Sequence, residues 1–242
     1  ITNPPFSLFR VFLAWIVEAK KQFIIIGNIN CVTYKEVFPL IQNNSVWMGC
    51  TIHSGDREFE VPEGYPLKAA GWRIDENGKK YIRVKGVRWY TNIDHGRRHH
   101  PLELMTMADN IKYSKHKEVK GKQYSVYDNF KAIDVPYTDA IPKDYDDIMG
   151  VPITFLDKYY PEQFEIVGIT KTWFGMANKV YPKQIQVSKT GKKSVVTKLN
   201  DGAAIEVDGP IEGDVYYIVD GKYYTQAYAR ILIRKKVSPN TH

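Results

Sequence analysis

The beginning of the chain combines amphipathic and continuous apolar stretches. In residues 7–20 the apolar side chains recur at helical spacing, and Ser7 stands where it can cap the first turn. Residues 22–28 form a short apolar run, which is typical of a strand buried on both faces in a parallel sheet. Thr33 can cap a second helix that continues to Gln42, with Pro39 as a local irregularity. This order of elements predicts an α/β structure.

From Trp47 onward the pattern changes to strands and turns. Residues 72–75 and 81–90 flank Glu76-Asn77-Gly78-Lys79, and Asn-Gly is a strong signal for a hairpin turn. Residues 128–150 are rich in Asp, Tyr and Pro and predict a long ordered connection. After it, β-prone runs alternate with glycine-containing turns up to a final strand in residues 228–235. The second half of the chain is therefore predicted to be β-rich.

Composition narrows the class of protein. The 242 residues suffice for one large domain, or for a domain with a smaller lobe. A net charge of +7 favours a polyanionic partner, although charge alone leaves a protein that binds no nucleic acid equally open. Cys31 and Cys50 form no CxxC pair, so neither a disulfide framework nor a zinc site is predicted, and a reducing cytoplasm fits. The apolar runs are much shorter than the roughly 20 residues that span a bilayer, so no membrane association is expected.

The tetrapeptide Asn3-Pro4-Pro5-Phe6 carries candidate chemistry. The exocyclic amine of adenine is a poor nucleophile, so an enzyme that alkylates it must hold its protons with acceptors. The Asn3 side chain and a backbone carbonyl, that of Pro4, can supply them, and Phe6 can stack on a base flipped out of the duplex. A Pro-Pro start of a helix without any catalytic role is the alternative. The predicted helix and buried strand after the motif favour the first interpretation, because they place it at the carboxyl end of a parallel strand.

Four longer blocks resemble a known family, the EcoRI-type adenine-specific DNA methyltransferases. These blocks are NPPFSLFR, FIIIGNINCVTYKEVFPLI, VRWYTNIDHGRRH and DDIMGVPITFLDKYYPEQFEIVGI, in the order that the family has them. The resemblance implies a Rossmann-like α/β fold that depends on S-adenosylmethionine, represented here by the second half of its sheet. It further implies a partial catalytic domain in residues 1–110 and a β-rich target-recognition region in residues 111–242. By the same resemblance, Asn3, Pro4, Pro5 and Phe6 receive the flipped adenine.

The cofactor loop of the family is not found in this sequence. Its Phe-x-Gly-x-Gly motif lies upstream of the Asn-Pro-Pro-Phe motif in the family, and this chain begins at Ile1. A preceding segment on the order of a hundred residues is therefore expected, enough for the first half of a doubly wound sheet. A DNA-binding or structural fragment without activity is one alternative. A cytosine-N4 methyltransferase, whose motif commonly begins with Ser, is another.

The resemblance also predicts the setting of the protein. We expect a bacterial or phage-encoded cytoplasmic enzyme that methylates double-stranded DNA, with a cognate restriction endonuclease that shares its site. Apart from the resemblance, Arg97 and Arg98 follow a strand in a loop that can present guanidinium groups to DNA phosphates, and a solvated charged loop is the alternative. No metal is expected, because the adjacent His99 and His100 diverge and no Cys or Glu completes a ligand set.

Two further groups are candidates with a plain structural alternative. A basic stretch with interleaved tyrosines suits DNA contact, although such runs are usually solvated surfaces; its lysines are Lys115, Lys117, Lys120 and Lys122. Trp89 and Tyr90 are candidates for the wall of the base pocket, although aromatic residues in a strand more often belong to the core.

Overall fold

The structure is a computed structural model that describes residues 1–51, 56–67 and 71–236. The chain forms two compact units, Ile1–Arg97 and Arg98–His242. The division falls at residue 97, whereas the sequence places the change from catalytic to recognition region near residue 110. The functional meaning of the two regions stays a prediction.

In its described residues the first unit contains two small sheets and two short helices. Its helices are α1 (Phe9–Glu18) and α2 (Phe38–Gln42), and 3-10 turns cover Phe6–Leu8 and Ile29–Thr33. Its strands are β1 (Ile24–Asn28), β2 (Trp47–Met48), β3 (Arg57–Val61), β4 (Trp72–Ile74), β5 (Lys80–Val84) and β6 (Val87–Thr91). One sheet has the order β1-β6-β2 and the other the order β3-β5-β4.

The first strand of the sheet has a parallel neighbour on one side and an antiparallel neighbour on the other. Thr2 forms a parallel bridge with Ile25, through the bonds Thr2 N–H to Ile24 O and Ile26 N–H to Thr2 O. On its other side β1 pairs antiparallel with β6, and its residues alternate between buried and half-buried positions. The prediction of a strand buried on both faces of a parallel sheet is therefore wrong. The parallel relation to the segment before the motif is confirmed, and α1 connects the two.

Both predicted helix caps are wrong. Ser7 lies inside a 3-10 turn, in which Leu8 N–H donates to Pro5 O at 2.9 Å, and α1 begins at Phe9 without a side-chain cap. The Thr33 hydroxyl donates to Asn30 O within another 3-10 turn, so α2 begins only at Phe38. Pro39 lies in the first turn of α2, where a backbone N–H would have no partner within the helix, so its absence does not destabilise the helix.

The predicted hairpin is confirmed. Strands β4 and β5 pair antiparallel across the turn, and Gly78 takes a φ of +78°, which glycine adopts without strain. The run 81–90 is not one strand, however. Lys85 and Gly86 separate β5 from β6, and the two strands belong to different sheets.

The second unit is β-rich, as predicted. Helix α3 (Met107–Tyr113) precedes a sheet of order β7-β8-β15-β9 and a sheet of order β11-β10-β13-β14-β12. These strands are β7 (Ile133–Asp134), β8 (Met149–Pro152), β9 (Phe164–Ile169), β10 (Gln184–Val187), β11 (Lys193–Val196), β12 (Ala203–Val207), β13 (Tyr216–Val219), β14 (Lys222–Ala227) and β15 (Arg230–Lys235). Tyr127, Phe130 and Leu232 pack against Ala203, which joins the two sheets in one core. The predicted connection 128–150 contributes β7 and the start of β8 to the four-stranded sheet.

None of the helices in the described ranges combines the length and the apolar character needed to cross a bilayer.

Candidate functional site

Three backbone segments of the first unit meet at one edge of the β1-β6-β2 sheet. The segment Asn3 to Phe6 follows Thr2, and Ile29 and Asn30 follow the parallel strand β1. Strand β6 runs the other way, and Asn28 pairs with Val87, so β6 begins at the same edge, directly after Lys85 and Gly86. We call this place the carboxyl edge, because the parallel segments end there. Open α/β sheets bind their ligands at such an edge.

The Asn3–Phe6 turn presents unused acceptors. The Asn3 side chain is exposed, Pro4 is buried, and neither makes a hydrogen bond with any other residue that the structure describes. The next carbonyl, that of Pro5, accepts the N–H of Leu8 and is therefore engaged. Phe6 is half-buried. The turn thus contains two acceptors without a described partner, the exposed Asn3 side-chain oxygen and the carbonyl of the buried Pro4, next to an aromatic ring.

Tight packing behind the turn fixes its position. Phe9, the first residue of α1, has its ring 4.8 Å from the ring of Tyr90, and both side chains are fully buried. A Cβ at Gly27 would lie 2.4 Å from Cε2 of Phe9, so only glycine admits the ring there. The Tyr90 hydroxyl donates to the carbonyl of Asn28 at 2.7 Å. The start of α1 and the end of β1 are therefore held together just behind the motif.

The loop after β1 is tied to the turn before β6. Asn28 Nδ2 donates to the carbonyl of Lys85 at 2.8 Å, and its Oδ1 accepts the N–H of Asn30 at 2.9 Å. Ile29 N–H donates to the carbonyl of Gly86 at 2.7 Å. The side-chain amide of Asn30 and the Lys85 ammonium are exposed and have no hydrogen-bond or ion-pair partner in the described ranges. Sequence reasoning missed Asn28, Asn30 and Lys85, and the only local signal for the two asparagines is the polar Gly-Asn-Ile-Asn end of an apolar strand.

Cys31 lies in the 3-10 turn close to this edge, and its thiol is buried. Burial raises the pKa of its thiol above the ordinary value, so the thiol stays protonated near neutral pH. Burial likewise raises the pKa of Tyr34, whose ring lies 5.1 Å from the Arg10 guanidinium carbon. The Cys31 side chain is buried and forms no disulfide.

Trp89 and Tyr90 point to opposite faces of the sheet, because they are consecutive in β6. Tyr90 is fully buried against Phe9 and lines none of the described cavities. Trp89 lines a cavity of about 330 Å³ together with Ile24 and Ile93. Ile24 pairs with Thr91, at the end of β1 that is opposite to the motif. Tyr90 therefore belongs to the core behind the Asn3–Phe6 turn, and Trp89 shares its cavity with Ile1, two residues before Asn3, so its place in the base pocket stays a prediction.

Arg97 and Arg98 lie in a 3-10 turn, Gly96–His99, at the junction of the two units. The Arg97 side chain is exposed, and Arg98 is half-buried. Burial raises the pKa of Tyr159 to about 12, and the positive charge of Arg98 opposes that rise. Among the described residues, no group of three or more His, Cys, Asp or Glu side chains could hold a metal ion.

The four candidate lysines differ in their pairing. Lys115 Nζ lies 2.9 Å from Asp139, which also contacts His116. Burial alone would raise the pKa of Asp139, but the hydrogen bonds from Lys115 and His116 outweigh it and hold that pKa below the usual value. The other three are exposed and form no ion pair with a described residue; they are Lys117, Lys120 and Lys122. Those three remain available to a polyanion.

Comparison with known proteins identifies the family. Residues 1–236 match the profile of the family described as "Adenine-specific methyltransferase EcoRI". The chain belongs to this family. Membership confirms the resemblance inferred from the four sequence blocks. It makes the Asn3–Phe6 turn at the carboxyl edge the first candidate for the catalytic centre of an EcoRI-family methyltransferase.

Three relatives set the extent of the similarity. Type II methyltransferase M.EcoRI of Escherichia coli is 45% identical over 171 residues, which are 71% of this chain and 50% of that protein. Type II methyltransferase M.MgeORF184P of Mycoplasma genitalium is 30% identical over 239 residues, 98% of this chain and 64% of that protein. M.MpnI of Mycoplasma pneumoniae is 33% identical over 170 residues, 69% and 50% of the two chains. The matched region thus spans 50% to 64% of the length of these curated relatives. No solved structure matches it.

Proposed function

We propose that this protein methylates N6 of adenine in double-stranded DNA, with S-adenosylmethionine as the methyl donor. The observation that carries the proposal is the Asn3–Phe6 turn, which lies at the carboxyl edge with two acceptors unused. Family membership supports the same chemistry. The proposed target base is flipped out of the duplex, because neither acceptor can reach an amine inside a base pair.

The residues of the turn would act on the amine of the flipped base. The Asn3 side-chain oxygen and the Pro4 carbonyl would each accept one of its two N–H bonds, which draws the nitrogen toward a tetrahedral geometry and localises its lone pair. Phe6 would stack on the ring and hold the base in that orientation. Asn3 has no other partner among the described residues, so it loses no existing hydrogen bond when the base arrives.

The cofactor side of the site is incomplete in these residues. S-adenosylmethionine supplies an electrophilic methyl carbon when it is bound. The 242 residues contain no Phe-x-Gly-x-Gly loop, which in the family holds this cofactor. We therefore assign to this chain only the acceptor side: the holding of the amine, its orientation, and the stacking of the base.

We infer further that the β1-β6-β2 sheet is the second half of a Rossmann-like sheet. The parallel bridge of Thr2 with Ile25 and the connection through α1 support this inference. We also propose that residues 1–110 belong to the catalytic domain and residues 111–242 to the DNA target-recognition region, which the exposed lysines near α3 support. The relatives are named Type II methyltransferases, so we propose a restriction-modification role with a cognate endonuclease.

The test is Asn3→Ala in the protein expressed from its complete reading frame. Single-turnover transfer of a labelled methyl group to unmethylated DNA should fall by about 10²–10³, as it does when one well-placed transition-state hydrogen bond is removed. DNA affinity should stay within a few-fold, because phosphate contacts dominate it. Phe6→Ala should be milder, with a loss of roughly 1–3 kcal/mol from stacking.

Gln22→Ala is the matched control. It removes an exposed amide at the opposite end of β1 from the motif, and it should leave the rate unchanged. Mass spectrometry of the hydrolysed DNA should find N6-methyladenine. N4-methylcytosine instead, or near wild-type transfer by Asn3→Ala, would contradict the proposal. DNA binding without any transfer by the unmutated protein would favour a DNA-binding role alone.

A further inference from the structure

The β3-β5-β4 sheet emerges directly from the carboxyl edge. Only Lys85 and Gly86 separate β5 from β6, and Val87, the first residue of β6, lies at that edge. The Lys85 and Gly86 carbonyls accept hydrogen bonds from the Asn28 side chain and from Ile29 N–H. Gly86 has a φ of +66°, and a Cβ there would lie 3.1 Å from Ile29 Cγ2. These contacts hold the end of β5, and with it one end of the small sheet, beside the proposed base site.

One face of the small sheet is charged and internally compensated. Its carboxylates pair with its cations at short distance: Arg73 with Glu58 at 2.8 Å, Lys79 with Glu60 at 3.0 Å, and Arg83 with Asp56 at 2.7 Å. The Arg73 guanidinium also lies 4.3 Å from the centre of the Tyr81 ring. This face therefore has little net charge to offer a polyanion.

The opposite face, which we call the open face, is apolar and carries only positive charge. The strand registers place on it Phe59, Val61, Trp72, Ile74, Ile82 and Val84, together with Arg57 and Lys80. Arg57, Trp72 and Ile74 are exposed, the last two by 48% and 49%, and the other five side chains are half-buried. Arg57 and Lys80 bond only to the backbone carbonyls of Asp56 and Glu63, so no carboxylate neutralises them among the described residues.

The distribution of charge indicates which kind of partner can bind to the open face. Protein interfaces are depleted of lysine at their centre, yet Lys80 sits between Val61 and Ile74 in the register. Nucleic acid suits the combination: cations contact phosphates, aromatic rings stack on unpaired bases, and apolar side chains contact sugars and thymine methyl groups. The location is consistent, since DNA whose adenine enters the carboxyl edge must pass beside it.

We propose that the open face is a DNA-contact surface for the nucleotides that flank the flipped adenine. Arg57 and Lys80 hold phosphates, and Trp72 and Ile74 cover the bases and sugars that flipping exposes. The proposal rests on the proposed function, because the location of the target base comes from it. It adds a contact surface in the first unit to the basic residues predicted from the sequence.

Fluorine NMR tests the contact directly. The chain has five tryptophans, so 5-fluorotryptophan labelling gives five resonances, and Trp72→Phe assigns the one of interest. Titration with double-stranded DNA should shift or broaden the Trp72 resonance. If that resonance stays unchanged while fluorescence anisotropy of the same sample shows saturation with DNA, the open face is not a contact surface.

Two variants that each remove one positive charge distinguish a direct phosphate contact at the open face from the general attraction of DNA to a positively charged protein. Arg57→Gln removes a cation from the open face, and Arg83→Gln removes one from the charged face. The slope of log Kobs against log salt should fall by about 0.9 for Arg57→Gln and stay constant for Arg83→Gln. Equal changes in both variants would show that the open face makes no phosphate contact of its own.

Methyl transfer supplies the last readout. Trp72→Ala should lower single-turnover transfer roughly 5- to 150-fold, the range expected for a lost base stack, and Trp72→Phe should restore most of it. Urea unfolding of both variants controls for damage to the sheet. If the unmutated protein neither binds nor methylates DNA, the proposed function fails. If it does both while Trp72→Ala and Arg57→Gln behave like it, only the open-face proposal fails.

Discussion

Asp134→Ala should destabilise the second unit far more than the loss of an ordinary ion pair. Asp134 Oδ1 accepts both the hydroxyl of Tyr127 and Arg230 Nε, the latter at 2.9 Å. The Arg230 and Asp134 side chains are only 14% and 11% exposed. Without the carboxylate, the buried guanidinium loses the acceptor of its Nε, and the buried hydroxyl keeps only a long contact of 3.4 Å with the carbonyl of Gly150. Breaking a buried pair in this way costs about 3–5 kcal/mol.

The same strand offers a matched control. Arg234, also in β15, pairs with Glu165 at 2.8 Å, but the two side chains are 48% and 49% exposed. The chemistry and the distance are nearly the same, so burial is the main difference. Glu165→Ala should therefore cost only about 0–1 kcal/mol. Asp134→Asn, which keeps an oxygen for the Tyr127 hydroxyl but loses the charge, should fall between the two.

Urea unfolding measures the free energy of unfolding of each variant, and native-state hydrogen exchange of the β15 amides reads the second unit directly. We expect the β15 amides to lose about 3–5 kcal/mol of protection in Asp134→Ala and almost none in Glu165→Ala. Equal losses in the two variants would refute the reasoning, because they would show that burial does not set the strength of these pairs.

Three further predictions use other parts of the chain. The double variant Arg97→Ala, Arg98→Ala should flatten the salt dependence of DNA binding by about 0.9 per lost phosphate contact, and an unchanged slope would remove both residues from the interface. The 242-residue chain should bind S-adenosylmethionine weakly or not at all, and micromolar affinity in isothermal titration would contradict this. Burial raises the pKa of Tyr127 well above the model-peptide value of 10.0, so its contribution to stability is complete below that pH and is lost as pH rises through the folded-state pKa. Tyr127→Phe should therefore make stability less dependent on pH above about 10, as urea unfolding at a series of alkaline pH values can show.

Turns could be predicted from the sequence because their signals are local. Gly78 follows Asn77 at the tip of the hairpin, and a positive φ is what glycine tolerates best. The helix starts could not be predicted equally well. Ser7 and Thr33 have side chains that can cap a helix, but the backbone around each of them forms a 3-10 turn. In the second of these turns the Thr33 hydroxyl donates to the carbonyl of Asn30, so it does not cap a helix. Capping propensity does not say which of two competing turns forms.

Some residues of the candidate site could likewise be predicted from the sequence, and others could not. The Asn3–Phe6 turn could be found because its four residues are consecutive and the following helix and strand set its place at the sheet. Asn28 could not be found, since its partner Lys85 is 57 residues away in the sequence. Tyr90 shows a related limit. An aromatic residue in a strand belongs to the core or to a pocket depending on which face is covered, and Phe9 covers the face of Tyr90.

The open face shows that the alternation of apolar and charged residues along a strand does not reveal which apolar side chains stay exposed. In β5 the side chains of Lys80, Ile82 and Val84 alternate with Tyr81 and Arg83, so the sequence alone indicates that the two sets lie on opposite faces. An alternating strand normally buries its apolar set and exposes its charged set. Here the charged set is neutralised by ion pairs, and on the opposite face Ile82 and Val84 are half-buried while Trp72 and Ile74 of the neighbouring strand remain 48% and 49% exposed. Because the position of this face beside the carboxyl edge depends on hydrogen bonds between β1 and the turn before β6, it could be inferred only from the tertiary structure.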